Sequence, residues 1–120
     1  TSYNTIIMDG RYLKQKFVMD TSDMLFQGIG YLGYDNAKQK YVMVWFDNMT
    51  TSFSTSEGTC DEDGTVFTSI GQMYDPMAGA WYDSKTVTRI VDENTHTMEM
   101  YRPEAGGNFY MEMEFIYRRK

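Results

Sequence analysis

The sequence predicts an all-β fold, an antiparallel up-and-down barrel of about nine strands. Three observations carry that reading. Turn chemistry recurs about every 8 to 12 residues, with β-branched and aromatic residues between the turns. Several of the runs so bounded alternate apolar and polar residues with the period of two that a half-buried strand requires. No window sustains an apolar stripe at helical spacing, and Ala37-Lys38-Gln39-Lys40, the most helix-friendly stretch, is too short to be more than a turn. Short loops can join only antiparallel neighbours, and a meander of this many strands must curl or close to dispose of its edges.

The elements follow in order from the punctuation. Asp9-Gly10 lies between Thr5-Ile6-Ile7-Met8 and the run Arg11 to Met19, and Asp-Gly is a two-residue hairpin signal because Gly accepts positive φ. Thr21-Ser22-Asp23, Asp35-Asn36-Ala37-Lys38 and Asp47-Asn48 mark the next breaks. Asp61-Glu62-Asp63-Gly64, Asp75-Pro76-Met77-Ala78-Gly79, Asp92-Glu93-Asn94 and Pro103-Glu104-Ala105-Gly106-Gly107 follow in step. The strands between them span 3–8, 11–19, 24–34, 41–47, 49–58, 65–73, 80–91, 95–102 and 108–118, a single domain over residues 1–120 with no linker and no internal repeat.

Composition narrows the function. With 42% apolar and 16% aromatic residues among 120, the chain can build a core and has no signature of disorder. Its 17 Asp and Glu outweigh 11 Lys and Arg, and the basic residues are scattered except for Arg118-Arg119-Lys120, so neither a nucleic-acid groove nor an anionic membrane surface is expected as a partner. One Cys, Cys60, and one His, His96, exclude an intrachain disulfide and any zinc site built from several such ligands, and no metal or cofactor is expected. No apolar run approaches the ~20 residues that span a bilayer, Thr1-Ser2-Tyr3-Asn4 does not read as a signal peptide, and a lone thiol fits a cytoplasmic location.

The alternation points to an interior. In the last strand Met111, Met113, Phe115 and Tyr117 share one face and Glu112 and Glu114 the other. In the strand before it His96, Met98 and Met100 share a face, which turns the only His inward. The run 80–91 is less clean, with Val87, Arg89 and Val91 opposite Thr86, Thr88 and Ile90, and Arg89 is read as an interior candidate able to meet a carboxylate. Tyr41 to Phe46 is apolar on both faces, so a cover or a second copy of the chain is expected on its outside. Thr50, Ser52, Ser54 and Ser56 read as a solvated face, the alternative being polar contacts in a lumen. Eleven methionines suit either irregular core packing or a cavity that adapts to apolar molecules.

Other patterns match motifs only in letters. Gly28-Ile29-Gly30-Tyr31-Leu32-Gly33 spells a dinucleotide fingerprint, but that motif needs a following helix to receive the pyrophosphate and none is predicted. Gly28 and Gly30 instead share a strand face, where missing side chains admit a bend or the close approach of a neighbour or ligand. Asp61-Glu62-Asp63-Gly64 lacks the spaced ligands of a calcium loop and reads as a turn. Asn48-Met49-Thr50 fits a glycosylation sequon with nothing else to mark a secreted protein. Cys60 beside Asp61 has company that raises a thiol pKa, which argues against a nucleophile.

Gly30-Tyr31-Leu32-Gly33-Tyr34-Asp35-Asn36, with Lys40-Tyr41-Val42, Trp45-Phe46-Asp47-Asn48, Asp75-Pro76-Met77 and His96 followed by Glu99-Met100-Tyr101, resembles a bacterial family of small proteins known only as a domain of unknown function and grouped with the lipocalin-like (calycin) barrels. The resemblance covers nearly the whole chain. It implies a closed or nearly closed lipocalin-like barrel and no established activity. Members usually begin with a further N-terminal segment carrying a Gly-x-Trp-like strand, so the resemblance also implies a trimmed chain and an incompletely closed barrel. The expected function is binding of a small apolar or amphipathic molecule in the lumen, on Phe26, Gly28, Gly30, Met43, Trp45, Arg89, His96, Met98, Met113 and Tyr117. Two alternatives stand beside it: a haem-binding or enzymatic barrel centred on His96, and a structural barrel with a packed core that acts as a homodimer.

Overall fold

The structure, a computed structural model, describes residues 1–120 and contains no helix, hence none long and apolar enough to cross a membrane. Nine strands follow one another: β1 (Ser2–Ile7), β2 (Tyr12–Asp20), β3 (Leu25–Asp35), β4 (Lys40–Asp47), β5 (Ser54–Cys60), β6 (Val66–Asp75), β7 (Ala80–Asp92), β8 (Thr95–Pro103) and β9 (Phe109–Arg118). Each pairs antiparallel with the next in one nine-stranded sheet, in sequence order. Every strand but the fifth lies within two residues of its expected ends.

β5 is the exception, beginning at Ser54 rather than at residue 49. Residues 48–53 form a loop that ties back to β3 instead of extending the ladder. The Asn48 side chain accepts from Gln27 N at 3.0 Å and donates to the Leu25 carbonyl at 2.8 Å, while Asp47 Oδ1 accepts from Met49 N at 2.9 Å. The first hairpin also differs from the two-residue turn expected at Asp9-Gly10. Ile7 and Tyr12 are the closing pair, and the four residues between them include Met8 and Asp9 at φ of 52° and 58° as well as Gly10 at 86°.

The sheet curls without closing. In an antiparallel meander of nine strands the first and last run in the same direction, so β9 cannot continue the alternating ladder into β1. No backbone hydrogen bond joins them. The ends of the sheet approach through side chains: Lys120 Nζ donates to Thr1 Oγ1 at 3.3 Å, and the ring of Phe17 on β2 meets Phe115 and Tyr117 on β9 at centroid distances of 6.0 and 6.4 Å. The molecule is an open half-barrel.

Register fixes which residues face inward, because directly opposed residues share a face. The ladder that pairs His96 with Tyr117 and Ile90, Met98 with Phe115 and Thr88, and Met100 with Met113 and Thr86 sets the inner surface on β7 to β9. Four further ladders carry it on. Met73 pairs with Tyr82, Gly71 with Ser84 and Ser56, and Met43 with Ser56 and Leu32. The interior is not packed solid. No side chain is fully buried, and Val87 is the only buried apolar residue, at 6% exposure on the outer face.

β5 and β6 cross unusually closely. A Cβ on Gly58 would overlap the Thr68 carbonyl oxygen, and one on Gly71 would overlap the Thr55 carbonyl oxygen. The contact in both cases is with backbone, so only a residue without a side chain lets the strands approach there.

Candidate functional site

The half-barrel encloses two adjoining compartments of about 310 and 330 Å³. Gln15, Met43, Ser56, Thr86, Met98 and Tyr117 line both, and so form their junction. The first compartment is walled by Leu13, Leu32, Phe67 and Ile90 around His96. The second is walled by Phe17, Phe26, Trp45, Met73, Met113 and Phe115. Ser54 and Ser56 belong to these walls, which corrects their reading as a solvated face. Ser56 Oγ is buried at the junction and has no hydrogen-bond partner.

Trp45 closes one wall through the two glycines opposite it. A Cβ on Gly28 would collide with the indole, and one on Gly30 would stand 3.0 Å from Cε3. The indole Nε1 donates to Asp47 Oδ2 at 2.8 Å, which fixes the ring's plane from its polar edge. The Gly-x-Gly pair thus makes room for an aromatic ring of the protein itself. Gly33 lies on the opposite face, against Tyr12, and no helix follows.

His96 stacks on Tyr117 at 4.6 Å between centroids and 7° between planes. Burial alone lowers the imidazole pKa below its ordinary value, so the ring is largely neutral at pH 7. No carboxylate or hydroxyl contributes to that shift, and general-base chemistry would need such a group to orient the ring. Burial likewise raises the Tyr117 phenol.

The sign of His96's effect on stability follows from its lowered pKa. The unfolded chain takes up the proton first, near pH 6.5, so the native state loses stability as pH falls below that value until the folded protein titrates too. His96→Gln is expected to remove this component and flatten the fall in denaturation midpoint between pH 7.5 and 5. Equal slopes in the two proteins would show that the native imidazole titrates normally. Asp75 and Glu99, whose carboxyls Arg102 and Arg89 hold below the usual range, contribute stability above about pH 4 and lose it only at lower pH.

Arg89 is a correction. Thr88 and Ile90 line the first compartment, so Arg89 between them points outward. There its Nε bonds Glu99 Oε1 at 3.0 Å, and Tyr101 donates to Glu99 Oε2 at 3.1 Å. Met111 is also displaced from the interior. The β8–β9 register pairs Met100 with Met113 but Tyr101 with Met111, and the extra residue at this bulge is Glu112, which lines the second compartment.

The guanidinium at the inner rim is Arg102. It lies 4.0 Å over the Tyr82 ring, bonds Asp75 Oδ2 through Nη2 at 2.7 Å, and approaches Glu112 Oε1 through Nη1 at 3.6 Å. The alternation His96, Met98, Met100 carried one step further reaches Arg102, so this residue was open to discovery from sequence.

Outside the barrel, Tyr12, Tyr31, Val42, Val44 and Ile70 border an open groove of about 640 Å³. The outer face of β4 is therefore covered only in part, by Phe46 stacking on Tyr31 at 6.5 Å and meeting Phe53 at 5.3 Å. Cys60 sits beside Asp61 at 3.8 Å, and burial followed by that carboxylate raises its thiol pKa. Asp61 itself closes the β5–β6 turn, accepting from Thr65 N and Val66 N at 2.8 and 3.0 Å.

No curated protein matches the chain. The family model described as "Protein of unknown function (DUF1579)" matches residues 1–119, and the chain belongs to that family.

Proposed function

We propose that this family member is a lipocalin-like binding protein that holds a small apolar or amphipathic molecule inside its half-barrel. One observation carries the reading: paired compartments of about 310 and 330 Å³ occupy the place where a packed protein would have its core. Volumes of that order lie at the lower end of the range that small-molecule sites use, roughly 300–1,000 Å³. Thioethers of Met43, Met73, Met98, Met100 and Met113 form much of the lining, and flexible polarisable side chains adapt to apolar ligands of irregular shape. The unpaired Ser56 Oγ at the junction supplies a polar contact that fixes orientation. A lone thiol on Cys60 fits a reducing cytoplasm.

The neutral fluorophore N-phenyl-1-naphthylamine is expected to bind saturably to the native protein, with a dissociation constant on the order of micromolar once ordering costs are met. Met98→Trp fills the junction of the two compartments and is expected to weaken binding at least about tenfold, equivalent to about 1.4 kcal/mol. Absence of saturable fluorescence enhancement from the folded protein would overturn the proposal.

A further inference from the structure

We infer that the preferred ligand is a cation, an apolar molecule that ends in a protonated amine or a quaternary ammonium group. The inference rests on the lumen-binding reading and adds the sign of the ligand's charge. The only charged side chains lining either compartment are Asp47 and Glu112, both in the second, and no Lys or Arg lines either one. His96, in the first compartment, is held neutral by burial. The nearest cation, Arg102, is committed to Asp75 at 2.7 Å and reaches Glu112 only at 3.6 Å, so one guanidinium serves two carboxylates. Asp47 accepts hydrogen bonds from neutral donors alone, Trp45 Nε1 and Met49 N, which leave its charge uncompensated.

The walls complement this charge. Phe17, Phe26, Trp45, Phe115 and Tyr117 surround the second compartment, and ring faces attract ammonium groups, Trp most strongly. An anionic headgroup would meet like charge with no free cation to receive it, and Arg89, the residue that suggested one, lies outside. The chain's formal charge of -6 acts in the same direction, raising the local concentration of cations at the mouth.

Three eight-carbon probes separate the possibilities by calorimetric titration at pH 7: octylammonium, 1-octanol and octanoate. Octylammonium is expected to bind at least about tenfold more tightly than octanoate. Glu112→Gln and Asp47→Asn are each expected to shrink the ratio of octylammonium to octanol affinity severalfold, and added salt to shrink it in the unmodified protein. Glu112 lies on the partly exposed β9 bulge, so its substitution leaves the fold intact for the comparison. Octanol binding without any preference for octylammonium over octanoate would overturn the inference and leave the lumen reading standing. A preference that survives both substitutions would overturn its assignment to these carboxylates. Binding of none of the three would remove the lumen reading, and this inference with it.

Discussion

Gly71→Ala and Gly58→Ala are each expected to lower the stability of the folded protein by about 3 kcal/mol or more, a large part of the total for a domain of this size. The cause is the identity of the atoms in the way. At Gly71 an added Cβ overlaps the Thr55 carbonyl oxygen and crowds Ser56, its partner across the ladder; at Gly58 it overlaps the Thr68 carbonyl oxygen and crowds Ser69. Backbone atoms in a paired ladder have no rotamer to escape to, so relief requires β5 and β6 to move apart and lose hydrogen bonds. Gly28→Ala is the control, because there the obstruction is the Trp45 indole, a side chain able to rotate. Its expected cost is about 1 kcal/mol, near the lower limit for overpacking. Urea midpoints for the three variants test the ranking. A Gly71→Ala protein as stable as Gly28→Ala would show that β5 and β6 separate readily and that the close crossing does not constrain the fold.

The strand pattern was legible because each turn carries its own chemistry and because a half-buried strand writes its two faces with period two. The fifth strand failed on both counts. Thr50, Thr51, Ser52 and Phe53 are β-compatible and were read as strand, whereas Asp47 and Thr50 accept from Met49 N and Ser52 N in local turns and Asn48 reaches back to Leu25 and Gln27. The open seam was anticipated, because the resemblance implied an incompletely closed barrel, and the eight ladders of the nine strands leave β1 and β9 running in the same direction.

Within the site, alternation placed His96, Met98 and Met113 on the inner surface, and the structure brings them together with Phe26, Gly30, Met43, Trp45 and Tyr117 around the two compartments. It failed at Arg89, where Val87 and Val91 made the outer face of β7 look apolar. That outer face is built around a charge instead: Val87 pairs with Glu99, 7% exposed, whose carboxylate is met by Arg89 and Tyr101. Alternation failed again at Glu112, where a single bulge residue inverts the parity of everything before it in β9. Asp47 reaches the lumen through a bond to Trp45 two residues away on the same face, a spacing the sequence does contain.

Trp45→Ala is expected to cost about 3 kcal/mol, within the range for truncating large aromatic side chains. The indole covers Gly28 and Gly30, lines the second compartment and binds Asp47, so its removal leaves two strands facing a gap that nothing else in β3 or β4 can fill. A loss of this size alone would not distinguish a ring seated on the glycines from one held elsewhere, but a double-mutant cycle does. With Trp45 present, Gly28→Ala forces the ring aside and destabilises. In the Trp45→Ala background the same substitution places a methyl group in the vacated space and is expected to be neutral or stabilising, because Ala also restricts the unfolded chain relative to Gly. The coupling between the two sites should therefore be about 1 kcal/mol or more, the range found for residues in direct contact. Additive effects, with Gly28→Ala equally costly in both backgrounds, would show that something other than the Trp45 indole excludes a side chain from position 28 and would take the ring out of the compartment wall.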